Sequence, residues 1–292
     1  MPSSHQPGPT SQAPDRSGTV LETDEDVRQA LLSGLKGQGQ PAPIAPRPVA
    51  PASPVVAHPA SLFRPTVRAP VAELTVLDDG KAEGEVIRVR EHRFVIGRAE
   101  GNLRIPIDGR MSSRHVEISL QAVGGLHRWV VTDLQSKHGM FVRVSRTALA
   151  DQAEFLVGNG RYRLDAPRPV GDGTAAYASN MPSTGETQGW DAGPGPFRPP
   201  ALTELIGDEI GNRVLLVKPE YWIGSDPLCA IPRTDDPFCE PRHVRVFRKP
   251  KGDWHAEHDK TRNGLWLRMA QIVAESVIHF QVGEQRFRLK VQ

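Results

Sequence analysis

One pattern constrains this chain more than any other: Phe155-Leu-Val-Gly-Asn-Gly-Arg-Tyr-Arg-Leu164 returns as Phe280-Gln-Val-Gly-Glu-Gln-Arg-Phe-Arg-Leu289. Trp129 and Gly139 stand ten residues apart, as do Trp254 and Gly264, and Phe94-Val-Ile-Gly97 has its counterpart in Tyr221-Trp-Ile-Gly224. The offset stays between 125 and 128 residues at each match. Agreement in several separate places predicts a duplicated domain, so whatever one block folds into, the other should fold into as well.

The repeated unit reads as short strands. AELTVL, EVIRVR, RFVIG, HVEISL, RWVVTDL and GMFVRV in the first block, and NRVLLV, HVRVF, GLWLRM and RFRLKV in the second, are rich in β-branched and aromatic residues and are separated by turn residues at short intervals. An all-β fold of two tandem β-sandwiches follows. Proline and glycine set the boundaries. Eight prolines fall between Pro41 and Pro65, and 166–200 has a similar composition, so both stretches are expected to be extended and disordered rather than packed. The expected divisions are 1–70 as a disordered, proline-rich region, 71–165 as a first folded block, 166–200 as a flexible linker and 201–292 as a second block. Within the first region, residues 24–35 place Val27, Ala30, Leu31 and Leu35 at helical spacing, enough for one short amphipathic helix, with Gly34 weakening its last turn. A helix this short is marginal in water unless it docks.

Several function classes are disfavoured. No window approaches the ~18 consecutive apolar residues of a membrane span, and the first nineteen residues lack a basic start followed by an apolar stretch. A cytoplasmic protein with no membrane partner is the expectation. Cys229 and Cys239 are too few for a disulfide framework and lack partners for a zinc site. The net charge of +2 is too small, and too evenly spread, to suggest a nucleic-acid surface. Along a strand, His255 and Glu257 alternate to one face and His258 to the other, so Trp254–Asp259 does not gather a metal. Ser112 and His115 are close in sequence with no placed acid, and no phosphate-cradling glycine loop of nucleotide-binding type occurs. No enzymatic activity, metal or cofactor is expected.

The first block reads Gly97-Arg98, then Ser112-Ser113-Arg114-His115, then Ser136-Lys137-His138-Gly139, then Val157-Gly158. That order resembles the forkhead-associated (FHA) domain, and the resemblance extends over about 71–165 and again over about 201–292. It implies a sandwich of about eleven strands that reads phosphothreonine peptides with loops at one end. By that resemblance Arg98 and Ser112 occupy the phosphate-binding positions, Ser113 and Lys137 fall where a further peptide or phosphate contact is made, and His115 braces the loop from behind. His138 stands where the family has an asparagine that contacts the peptide backbone, and Met140 replaces the usual threonine. The chemistry is consistent: a phosphate dianion calls for a delocalised cation with neutral donors around it, which an arginine, a serine hydroxyl and loop N–H groups supply. A protonated His138 would add charge and strengthen binding below about pH 6.5.

In the second block Ser225 follows Gly224 where the arginine should stand, and Glu240 takes the serine position, although Thr261-Arg262-Asn263-Gly264 keeps the asparagine loop. From Gly97 to His115 there are four arginines against two acids, and from Gly224 to His243 two arginines against four acids. The second block therefore reads as a degenerate copy that lost phosphate recognition. The expected function is a phosphothreonine-peptide-binding adaptor, the partner being a phosphoprotein or the chain's own N-terminal tail through Thr23, with oligomeric state open. The alternative is a phosphate-independent scaffold. Pro43-Ile-Ala-Pro46-Arg47 also fits an SH3-type ligand, although such sequences are more often spacers.

Overall fold

The computed structural model describes residues 18–33, 70–78, 81–123, 125–169 and 197–292. The stretch from Pro41 to Pro65, with Pro43–Arg47 inside it, and most of 166–200 lie outside the described residues. The fold is all-β, as expected. A short strand β1 (Val20–Leu21) and helix α1 (Asp24–Ser33) come first. The first block supplies β2 (Ala72–Leu77), β3 (Gly84–Val89), β4 (Arg93–Gly97), β5 (Leu103–Arg104), β6 (Val116–Val123), β7 (Leu126–Asp133), β8 (Met140–Leu149), β9 (Glu154–Val157) and β10 (Gly160–Asp165). A two-residue ladder, β11 (Arg168–Pro169) with β12 (Phe197–Arg198), leads into the second. There follow β13 (Ala201–Ile206), β14 (Glu209–Leu215), β15 (Glu220–Gly224), β16 (Ile231–Pro232), β17 (Val244–Arg248), β18 (Trp254–Glu257), β19 (Leu265–Met269), β20 (Gln271–Ala274), β21 (Val277–Val282) and β22 (Gln285–Val291).

The strands alternate as half-buried strands should. In β10, Tyr162 and Leu164 point inward and Arg161 and Arg163 outward, while in β4 Phe94 and Ile96 are buried between more exposed neighbours. β8 departs from this rule. Its first five residues, Met140–Val144, are all buried, including Arg143.

The reason is that β8 belongs to two sandwiches. Its first half lies beside β21 in a sheet that continues through β22 and β2 to β3. Its second half, from Arg146 to Leu149, pairs with β18, which continues through β17 and β15 to β16. β19 and β20 make the converse crossing. β19 pairs with β9, next to β10, β13 and β14, whereas β20 pairs with β7 beside β6, β4 and β5. Each sandwich is thus closed by the C-terminal hairpin of the other block: β21–β22 completes the first, β9–β10 the second. Blocks 71–165 and 201–292 both contribute strands to both sandwiches, so sheet closure does not follow the boundaries read from the sequence.

The sequence supplies the physical cause. Met140–Leu149 contains no Gly, Pro, Asn or Asp, and neither does the stretch from Leu265 to Ala274. With no turn chemistry, neither strand folds back on its own block, and both run straight across. The hairpins share the F-x-V-G-x-x-R-x-R-L pattern, so each presents the same inward residues to the sandwich it enters: Phe155, Val157, Tyr162 and Leu164, or Phe280, Val282, Phe287 and Leu289, all at most 1% exposed. Where the crossing strands meet, Val142 pairs with Leu267, flanked by Phe141 with Arg268 and Arg143 with Trp266. Since Leu267 lies 125 residues after Val142, the strands meet about equivalent positions.

The N-terminal segment crosses this seam. β1 adds to the edge of β8, and Glu22, almost fully buried, pairs with the equally buried Arg143, whose guanidinium also donates to the Thr261 and Arg262 carbonyls at 3.0 and 3.2 Å. His258 accepts the Thr261 N–H at Nδ1, which leaves its Nε2–H facing Glu22 Oε2 at 3.2 Å. Burial alone would raise the Glu22 pKa, but His258 and Arg143 outweigh it and hold the carboxyl below its ordinary value. α1 begins at a Thr23 cap, with the Asp26 N–H donating to Thr23 Oγ1 at 3.2 Å, and it buries Val27 and Ala30. Docking supplies the stability that its length lacks. No helix among the described residues is long and apolar enough to cross a membrane.

Candidate functional site

β4 ends at Gly97, and the chain turns so that the Arg98 N–H donates to the Ser112 carbonyl at 2.9 Å. The Ala99 and Glu100 N–H groups donate to the Ser113 carbonyl at 3.3 and 3.0 Å. The loops carrying Arg98 and Ser112 are therefore joined through their backbones. Beneath them His115 is wholly buried; its Nδ1 accepts the Ser112 N–H at 3.1 Å, and its Nε2–H donates to the Gly139 carbonyl at 3.1 Å. Both ring nitrogens are committed in the neutral tautomer, and burial pushes the pKa down. This ring joins the Ser112 loop to the loop after β7.

That third loop is fixed independently. Ser136 Oγ donates to Asp133 at 2.5 Å and accepts the Gly139 N–H at 3.0 Å, and the Lys137 N–H donates to Ser112 Oγ at 3.2 Å. The Ser112 hydroxyl keeps its own proton to donate. Arg98 is exposed, its guanidinium makes no ion pair with a described residue, and with Arg104 it lines a shallow depression. Ser113 Oγ donates to Glu100 at 3.0 Å, and Lys137 Nζ donates to Asp208 of the second block at 2.9 Å. Ser112, Lys137 and His138 are thus brought together with the Arg98 backbone, while the Ser113 and Lys137 side chains already have carboxylate partners. His138 is half-buried. Burial first, then Lys137, Arg161 and Arg110, lower its pKa, so in the free protein it stays neutral to a lower pH than an ordinary imidazole.

The second block repeats this geometry with different chemistry. His243 accepts the Glu240 N–H at 3.1 Å and donates to the Gly264 carbonyl at 3.0 Å, and the Ser225 N–H donates to the Glu240 carbonyl at 2.8 Å. In the place of the Ser112 contact, the Glu240 carboxylate accepts the Arg262 N–H at 2.6 Å. Asn263 spends its amide on the Phe238 carbonyl and on Arg286. An internal carboxylate therefore takes the loop N–H nearest the position of a bound anion.

Two features escaped sequence reasoning. Asp108, buried, accepts the Arg110 N–H at 2.9 Å and, from the exchanged hairpin, the Glu284 N–H at 2.8 Å. Asp236 does the same for Phe238 at 3.0 Å and Asn159 at 2.8 Å. The signal was there, since Asp108 and Asp236 keep the repeat offset of 128. The Glu22–Arg143 pair had no local signal. Among the described residues no three His, Cys, Asp or Glu side chains gather as a metal site. His255 stacks on Phe247 with centroids 5.8 Å apart, whereas His258 faces Glu22. Cys239 is buried, which pushes its thiol up to about 12.

Residues 94–158 match the FHA domain. A solved structure described as "Structural and functional analysis of phosphothreonine-dependent FHA domain interactions" is 28% identical over 32% of this chain and 92% of that one, with a TM-score of 0.20. No curated protein matches the chain.

Proposed function

We propose that this protein is an adaptor that binds phosphothreonine peptides through the loops carrying Arg98, Ser112, Ser113, Lys137 and His138, without catalysis. The observation that carries this reading is the convergence, inside the segment matching the FHA domain, of the Arg98 and Ser112 loops with the Lys137 N–H on Ser112 Oγ, braced by His115. An exposed guanidinium, a hydroxyl and a loop N–H on a rigid sandwich form a donor set suited to a phosphate dianion. Binding would transfer Lys137 from a solvent-exposed bridge with Asp208 to the ligand, a small cost for an exposed pair.

The second block is read as a degenerate tandem copy. Glu240 places negative charge where phosphate would lie, and Ser225 offers no guanidinium. Its contribution is structural: β21–β22 closes the sandwich that bears the first site. A soluble, cytoplasmic setting suits such a protein. Thr23 acts as a helix cap in the docked segment, so capture of a phosphorylated tail by the first site would require that segment to undock.

Because the sandwiches share strands, the test uses the full chain. Fluorescence anisotropy with phosphothreonine and unmodified peptide libraries should show retention of phosphorylated members only. Arg98→Ala should abolish that retention with the thermal midpoint unchanged, since loss of one charge-assisted bond to a phosphate costs ~2–5 kcal/mol. Equal retention of both libraries would leave the phosphate-independent scaffold as the better reading.

A further inference from the structure

A cleft of about 1320 Å³ runs between the two sandwiches, and it begins where the proposed phosphothreonine site ends. His138 and Gly139, next to the Lys137 N–H that contacts Ser112, form its near wall with Arg110. The far wall belongs to the second sandwich: Leu205–Gly207 at the β13–β14 turn, and Arg161 on β10. Its lining holds seven Lys or Arg against four Asp or Glu. Arg161 lies over the Phe141 ring at 5.7 Å and is braced by Glu154, so it stands as a fixed cation rather than a loose one. At the mouth, the Lys137–Asp208 bridge joins the two sandwiches through side chains that are 64% and 75% exposed.

We propose that this cleft continues the phosphothreonine groove and receives acidic residues flanking the phosphothreonine, with Arg161 and Arg110 as specificity determinants from opposite sandwiches. The proposal rests on the phosphothreonine reading of the first site. Three observations support it. The cleft is continuous with the loop that touches Ser112. Its charge excess is positive. The carboxylate already at its mouth, Asp208, sits on a cation of the site as an acidic ligand residue would. Asp208 then acts as a competitor for Lys137, and one peptide spans both sandwiches.

The test is anisotropy on the full chain with short fluorescein-labelled phosphothreonine peptides whose flanks are glutamate-rich, alanine-rich or lysine-rich. The wild type should prefer the glutamate-rich set by several-fold, and the preference should shrink as salt rises. Arg161→Gln should reduce it by about threefold or more, Arg161→Lys should keep most of it, and Asp208→Lys should enlarge it. Thermal midpoints identify any variant that fails to fold, and Asp208→Lys, at an exposed turn, provides the arm that folding does not confound. If the peptides bind through Arg98 but acidic and neutral flanks are bound equally, the cleft proposal is overturned and the phosphothreonine reading stands. If no phosphothreonine peptide binds, both fall together.

Discussion

Replacing Gly283 by alanine should loosen a loop in the other block. Gly283 has φ of +61°, and a Cβ built there would lie 2.3 Å from Asp108 Oδ2, the oxygen that accepts the Glu284 N–H. An L-residue in the left-handed region costs roughly 1–2 kcal/mol, and losing a hydrogen bond to a charged group about 1.5–3 kcal/mol. A combined loss near ~3 kcal/mol corresponds to roughly a hundredfold rise in local opening. The effect should appear at residues 105–115, which carry Ser112, because Asp108 also holds the Arg110 N–H. Hydrogen exchange followed by mass spectrometry on the full chain measures this directly. Gly158→Ala is the matched control: its φ is +57°, its Cβ would meet Asp236 Oδ2 at 2.5 Å, and it should loosen 233–243 instead. If Gly283→Ala instead accelerates exchange at 233–243 and spares 105–115, each hairpin closes on its own block and the strand exchange is refuted.

Glu22→Ala leaves Arg143 buried without its carboxylate and should cost about 3–5 kcal/mol in chemical denaturation; a loss below ~1 kcal/mol would show that the segment is not docked at the seam. Asp24 lies beside His279, whose contact lowers its pKa to about 2 against burial, with Arg288 adding to the effect. A depressed carboxyl contributes stability above its ordinary value of 3.8, which fades as pH falls toward 2, so protection of α1 against exchange should decline across that window and be stable from pH 5 upward. Cys239 should resist alkylation in the native chain and react on unfolding, while Cys229, less buried, reacts first, as peptide mapping would reveal. Ser225→Arg with Glu240→Ser removes the internal carboxylate and adds a guanidinium. This pair should give the second site measurable phosphothreonine-peptide affinity in an Arg98→Ala background, and its failure there would mean the loop geometry, not the charge, is what was lost.

The strands and the bracing histidines were legible in the sequence because each rests on local information. Alternation around Phe94 and Ile96 sets which face is buried, and the spacing of Ser112, His115 and Gly139 fits one ring bridging two loops. The short helix was legible for the same reason, its buried residues being Val27 and Ala30 as the spacing predicts. What stayed hidden depends on partners far along the chain. Nothing near Arg143 announces Glu22, which is 121 residues away, and an arginine in an apolar strand reads as solvent-facing until its carboxylate is found. His138 looked like a group ready to protonate near pH 6.5, but Lys137, Arg161 and Arg110 converge on it only in three dimensions and push the other way.

Duplication itself obscured the strand exchange. Because the two hairpins carry the same inward residues, either satisfies either sandwich, and pattern matching cannot tell self-closure from exchange. The choice is made by what precedes them: ten residues from Met140 to Leu149, and ten from Leu265 to Ala274, without a single turn former. A strand that cannot turn must find its neighbours ahead of it, and the only compatible edges ahead are those of the other block. The exchange in turn gives the second block a reason to persist without a phosphate site of its own. The first site's Ser112 loop is held by Asp108 on Glu284, a contact that exists only while the second block's final hairpin is folded into the first sandwich. Substitution at Glu240 or Ser225 leaves that hairpin intact, whereas a change at Gly283 reaches the Ser112 loop directly, so the two blocks can diverge in ligand chemistry but not in the residues that close each other's sheets.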